Sequence, residues 1–308
     1  MRNNSLPNFF IIGAAKAGTT TLYNTLNQHH QVYFPFQKEP SFFCDDEYYN
    51  KGVDWYLNTF YTNTRLKDAR GDATPRYLYW GEKVVPRISS LYGDHLPRII
   101  VIFRDPVALV HSYYWQSVRN GRESLSLREA LNAEESRVAE NYSVLQHRGR
   151  TTHLYSRIGF YASQLQPYLQ LFPSENFLFL LTEDLKNFPL LIEKLESFLH
   201  LEHAEWTKPV FSNPARLPRS HALHQWLMQT STIKELAKKF LPLSFRHRLK
   251  ISAINWNLKS LDIPPLDPDI ARHLRRHYAS DIRKLEEIIQ RDLSAWHMDN
   301  ESISQPHG

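Results

Sequence analysis

The chain has 308 residues, 42% of them apolar, a net charge of +5 and one cysteine. That length can bury a large core and allows one or two domains, while a lone cysteine excludes an intramolecular disulfide framework. No apolar run approaches the roughly 18 residues a helical membrane span requires.

One domain, residues 1–308, is expected, because no Gly/Ser-rich or Pro-rich linker and no internal repeat divides the chain. The first predicted strand begins by residue 9, which leaves no room for a cleavable leader, and an isolated Cys44 suits a reducing compartment. A cytoplasmic protein is the expectation.

Residues 9–21 run from the apolar strand Phe9-Phe10-Ile11-Ile12 through a small-residue turn into the hydroxyl run Thr19-Thr20-Thr21. A helix that opens there presents N–H groups without internal partners and the positive end of its dipole, a natural seat for phosphate. Gly13 and Gly18 are read as letting the backbone come close to that anion, and Lys16 adds a mobile charge. The glycines match the nucleotide-triphosphate loop G-x-x-x-x-G-K-[ST], but Thr19 stands where its lysine belongs. A donor other than ATP or GTP is therefore indicated.

Lys38-Glu39-Pro40-Ser41-Phe42-Phe43 follows, a charged pair beside two phenylalanines. In Gly71-Asp72-Ala73-Thr74-Pro75, Asp72 and Thr74 are read as caps of the next helix. Residues 99–103 form a β-branched and aromatic run suited to a parallel strand covered on both faces, with Pro106 in the first turn of the helix after it. Ligands of open α/β sheets gather at the carboxyl ends of strands. There Arg104, with Ser112 two turns into the helix, can grip one phosphate; the alternative is a local surface pair of Arg104 with Asp105.

The polar stretch 117–152 reads as an insertion with helix near 125–140, placed to shape an acceptor site. A further helix, the strand Phe177–Leu181 and an amphipathic helix near 189–200 complete the scaffold. At the C-terminus Asp267-Pro268 starts a helix with Ile270, Leu274, Tyr278, Ile282, Leu285 and Ile289 on one face. From Lys208 to Arg291 there are 16 Lys and Arg against 7 Asp and Glu. That basic, mostly helical part (208–308) would draw an acidic glycan or a membrane surface, unless it is an ordinary solvated face. Fifteen histidines do not form a ligand set: His29-His30, His221 with His224, and His273 with His277 lack joining Cys or carboxylates, so no metal is expected.

Together these segments resemble the sulfotransferases that use 3′-phosphoadenosine 5′-phosphosulfate, in the branch with the heparan-sulfate enzymes and many bacterial proteins. The resemblance implies an α/β fold of three αβα layers around a mainly parallel sheet, P-loop-like in its first turn. Lys16, Ala17, Gly18, Thr19, Thr20 and Thr21 look like the family's K-x-G-T-[TS] loop, which holds the 5′-phosphosulfate. Arg104, Asp105, Pro106 and Ser112 fit its R-[DN]-P segment with a serine eight residues on, which holds the 3′-phosphate. Lys38 to Phe43 look like K-E-P-H-F-F, whose glutamate is the general base, with Ser41 in place of the histidine. Ala73 stands where heparan-type enzymes often carry lysine. Arg216 and Arg219 fall where relatives place a basic loop over the 3′-phosphate, although the K-G-R signature is missing.

The resemblance thus implies in-line sulfuryl transfer to an acceptor hydroxyl, foremost of a carbohydrate, acidic or neutral. Glu39 would take the proton, Lys16 would stabilise developing charge, and neither metal nor nucleic acid would take part. Two alternatives stand beside it. An ATP-dependent small-molecule kinase would want lysine at 19 and a magnesium carboxylate, for which Asp72 and Asp105 are poor candidates. The other is an inactive relative that only binds glycan or peripheral membrane.

Overall fold

A computed structural model describes residues 6–62, 67–207 and 263–297, with the backbone of 216–218 and 258–260. Five parallel strands form the central sheet: β1 (Phe9–Gly13), β2 (Val32–Tyr33), β3 (Ala69–Ala73), β4 (Arg98–Phe103) and β5 (Phe177–Leu181), in the order β2-β3-β1-β4-β5. All residues of β1 and five of the six in β4 are buried. This is why both read as unbroken apolar runs rather than alternating ones.

The crossovers carry the helices that cover the sheet. α1 (Thr19–Leu26) follows β1, α2 (Asp46–Tyr49) and α3 (Gly52–Phe60) lead to β3, and α4 (Gly81–Tyr92) returns to β4. α5 (Pro106–Arg119), α6 (Leu127–Asn132), α7 (Glu134–His147) and α8 (Tyr161–Leu171) lie between β4 and β5, and α9 (Phe188–Leu199) comes after the sheet. The helix expected near 125–140 is two helices. Ser126 and Glu129 form a capping box at the start of α6, and only Ala133 separates α6 from α7.

A long helix α10 (Pro268–Ile289) buries Ile270, Leu274, Tyr278, Ile282, Leu285 and Ile289, the face its spacing predicts, and packs against α8 and α5. A short α11 (Ser294–His297) follows it. Strands β6 (Arg216–Pro218) and β7 (Leu258–Ser260) pair antiparallel, and the backbone of β6 runs beside α5. Most of the basic stretch 208–262, including Arg219, His221 and His224, lies outside the described residues. No described helix is long and apolar enough to cross a membrane.

Candidate active site

The turn after β1 bends the chain sharply, with Lys16 at φ 66° and Gly18 at φ 113°. Only glycine adopts the latter freely, and a Cβ on Gly18 would also lie 2.6 Å from Leu185. Gly13 has a different reason from the one its motif suggests. A Cβ there would strike the Leu78 side chain at 2.7 Å, so this glycine serves packing behind the turn. α1 begins without a side-chain cap and without an acidic residue in its first turn. Its first amides and its dipole are thus left to an external anion.

The ends of β1 and β4 meet. Ala14 donates its N–H to the Ile102 carbonyl (2.7 Å), and the Arg104 guanidinium donates to the Lys16 carbonyl (3.1 Å). The Thr182 hydroxyl, at the end of β5, lies 2.8 Å from the Ala17 carbonyl and 3.0 Å from that of Phe103. Tyr161 donates to the Arg104 carbonyl (2.9 Å). Asp105 is not a local partner of Arg104. It caps α5 by accepting the Val107 N–H, and both its oxygens take hydrogen bonds from Arg275 of α10 at 2.6 Å. Nothing in the sequence signals that clamp, because its partners stand 170 residues apart.

These strand ends open into a cleft of about 910 Å³. Lys16, Gly18, Thr19, Thr20, Thr21, Glu39, Arg104 and Ser112 all line it. Ala17 does not: its side chain is fully buried, because its carbonyl is tied to Thr182 beneath the turn. Arg216 lies in β6, described by its backbone alone, and Arg219 lies outside the described residues. Lys38, the first residue of the Lys38–Phe43 motif, also lines the cleft, as do Arg76, Arg119, Arg122 and Arg150, which no motif singled out. Arg119, Arg122 and Arg150 come from the stretch 117–152 expected to shape the acceptor side; the signal was their type, without a fixed spacing.

Asp72 and Thr74 are not helix caps. Thr74 precedes a single 3-10 turn at Pro75–Tyr77 without capping it, and Asp72 is wholly buried. Its carboxylate accepts from Thr74 (2.6 Å), Tyr56 (2.7 Å) and Tyr77 (3.0 Å). Desolvation inside the core overrides the capping its position in sequence suggests, because a buried carboxylate needs every donor within reach.

Among the described residues, seven cations and one carboxylate, Glu39, line the cleft. Burial, and then the nearby charges of Arg119, Arg104 and Lys38, bring the Lys16 ammonium down to about 8. Burial also lowers Lys38, against the pull of Glu39. Lys38 donates to the Thr20 hydroxyl (2.8 Å) and stands 3.5 Å from a Glu39 oxygen, joining the carboxylate to the first turn of α1. Such a cleft can bind a polyanion and offer one group able to accept a proton. Among the described residues no cluster of His, Cys, Asp and Glu could hold a metal ion.

A family model described as "Sulfotransferase domain" matches residues 6–240. The chain belongs to this family. Heparan sulfate glucosamine 3-O-sulfotransferase 3B1 of Mus musculus is 30% identical over 220 residues, which cover 70% of this chain and 51% of that protein. The membrane-associated sulfotransferase kil1 of Dictyostelium discoideum is 34% identical over 116 residues, 37% of this chain and 24% of that one. The chain thus spans about half the length of the first of these relatives and a quarter of the second. A sulfotransferase from Alicyclobacillus acidocaldarius superposes with a TM-score of 0.67 at 27% identity, over 95% of this chain and 99% of that one. The αβα sulfotransferase fold is therefore the fold of this domain.

Proposed function

We propose that this sulfotransferase domain moves a sulfuryl group from 3′-phosphoadenosine 5′-phosphosulfate to a hydroxyl of a carbohydrate acceptor that is itself anionic. The observation that carries the reading is the cleft at the meeting of β1 and β4, where the described lining sets seven cations around a single carboxylate. The heparan sulfate enzymes among the relatives support the carbohydrate class.

The residues fit that donor. Lys16 is crowded by three other cations, and the open first turn of α1 lacks a cap, so the cleft is short of negative charge before any ligand arrives. Lys16 and the amides of Thr19, Thr20 and Thr21 would hold the 5′ end. Arg104 and Ser112 would hold the 3′-phosphate. When bound, the donor supplies an activated sulfuryl group.

Glu39 then takes the proton of the acceptor hydroxyl as that oxygen attacks. Lys16 and the loop amides stabilise the negative charge that grows at the leaving end, where one preorganised donor is worth about 3 to 4 kcal/mol. Arg76, Arg122 and Arg150 face the same cleft and favour an acceptor with carboxylate or sulfate groups.

Calorimetry with 3′,5′-bisphosphoadenosine against ATP with magnesium tests the donor, and tighter binding of ATP would overturn it. Transfer of labelled sulfate to heparan sulfate, with Glu39→Gln as the control, tests the reaction. A folded domain that binds the bisphosphate but transfers sulfate to no glycan in a panel would point to the binding-only relative.

A further inference from the structure

Glu39 sits on a short loop in an unusual backbone state. Glu39 and Ser41 both have positive φ, 64° and 61°, and neither is glycine. Each such residue costs on the order of 1 kcal/mol, so the loop keeps this shape only if its surroundings enforce it. The Ser41 hydroxyl donates to the Glu39 carbonyl at 3.0 Å and accepts from Arg76, and two backbone amides tie the loop to the segment after β3. The Ser41 N–H donates to the Thr74 hydroxyl and the Phe43 N–H to the Tyr77 hydroxyl, both at 3.3 Å.

A hydroxyl can accept from an amide in a fixed direction when its own proton is committed elsewhere. Here both protons go to Asp72. Thr74 donates to one carboxylate oxygen at 2.6 Å, and Tyr77 to the other at 3.0 Å, with Tyr56 2.7 Å from that second oxygen. An ionised carboxylate only accepts, so it orients these protons inward and turns the hydroxyl lone pairs toward the loop. We propose that Asp72 is a positioning residue: through Thr74 and Tyr77 it fixes the Ser41 and Phe43 amides and thereby holds the Glu39 carboxylate in place for proton transfer. The proposal rests on the reading of Glu39 as the base.

Burial raises the Asp72 carboxyl to about 6, while the hydroxyl donors oppose the rise, so it is ionised at neutral pH. An amide of the same shape would break the pattern. Asp72→Asn turns an NH2 group toward at least one hydroxyl, whose proton must then swing toward the loop and meet an N–H.

The test is a double-mutant cycle of Asp72→Asn with Glu39→Gln, read by three measurements. Calorimetric affinity for 3′,5′-bisphosphoadenosine is expected to be unchanged in Asp72→Asn, which also shows that the protein is folded. Hydrogen exchange of the peptide spanning residues 38–43 is expected to quicken at least about tenfold, with the remaining peptides as in the parent. With heparan sulfate as acceptor probe, kcat is expected to fall at least about tenfold with KM little changed, and Asp72→Asn is expected to cost little more in the Glu39→Gln background.

Unchanged exchange at 38–43, or a kcat loss that multiplies with that of Glu39→Gln, would overturn the positioning role. A Glu39→Gln protein with normal turnover would instead overturn the base, a separate failure. Should the parent leave heparan sulfate untouched, the acceptor reading fails and the exchange measurement alone decides for Asp72. If Asp72→Asn does not fold, Thr74→Val removes one hydroxyl of the relay without touching the charge, and the same results are expected and would refute.

Discussion

The titration of Lys16 gives the sharpest check on the donor site. Its ammonium is brought down to about 8 by burial and by Arg119, Arg104 and Lys38. A bound phosphate would return it toward its ordinary value near 10.5. The protonated form binds the anion, so affinity is full below about pH 8 and is lost as pH rises through that value. Between pH 7 and pH 9 the empty site goes from mostly charged to mostly neutral while the loaded site stays charged. This weakens binding of 3′,5′-bisphosphoadenosine about tenfold, or about 1.4 kcal/mol. Isothermal calorimetry at pH 7, 8 and 9, in pairs of buffers with different ionisation enthalpies, measures both the affinity and the half proton taken up near pH 8. Lys16→Met is expected to bind more weakly and with a flat profile. A parent affinity constant from pH 7 to 9, or a tenfold loss that persists in Lys16→Met, would refute the reasoning.

Arg104→Ala is expected to weaken binding of 3′,5′-bisphosphoadenosine by about 1.5 to 3 kcal/mol while leaving adenosine 5′-phosphate nearly unaffected, since only the former carries the 3′ group; calorimetry with both ligands checks it. Arg275→Met strands the Asp105 carboxylate under α10 and should lower stability by about 3 kcal/mol in urea unfolding, an ion pair with side chains only 9% and 21% exposed. Gly18→Ala meets both a φ of 113° and the Leu185 side chain at 2.6 Å, and should cost about 2 to 3 kcal/mol in the same assay, together with donor affinity.

The strands and the long C-terminal helix were legible because burial imposes a period on the residues that make them. β1 and β4 are covered on both faces, and their apolar runs say so. In α10, Asp267 accepts from the Asp269 and Ile270 amides, as the Asp-Pro pair suggests, and the apolar positions recur at helical spacing. The turn after β1 and the placing of Arg104 and Ser112 on one cleft were legible for a related reason: each is local, so its geometry is written in consecutive residues.

What escaped the sequence is what depends on distant partners. Asp72 carries the same residue type a helix cap would, and only its enclosure by Tyr56, Thr74 and Tyr77 shows otherwise. Gly13 sits at a motif position, yet the atom it makes room for belongs to Leu78. Arg122 and Arg150 look like any surface arginines until the turns of the chain after α5 and after α7 bring them to the cleft that holds Lys16.

By itself, the order of residues determined the parallel sheet, the sharp turn between β1 and α1 and the kinship with sulfotransferases, because hydrophobic periodicity and short contiguous motifs act over a few residues. Tertiary structure alone decided which cations share one cleft, which carboxylate faces it and which is walled in beneath. Coulomb interactions and desolvation depend on distance through space, and chain separation does not encode that distance.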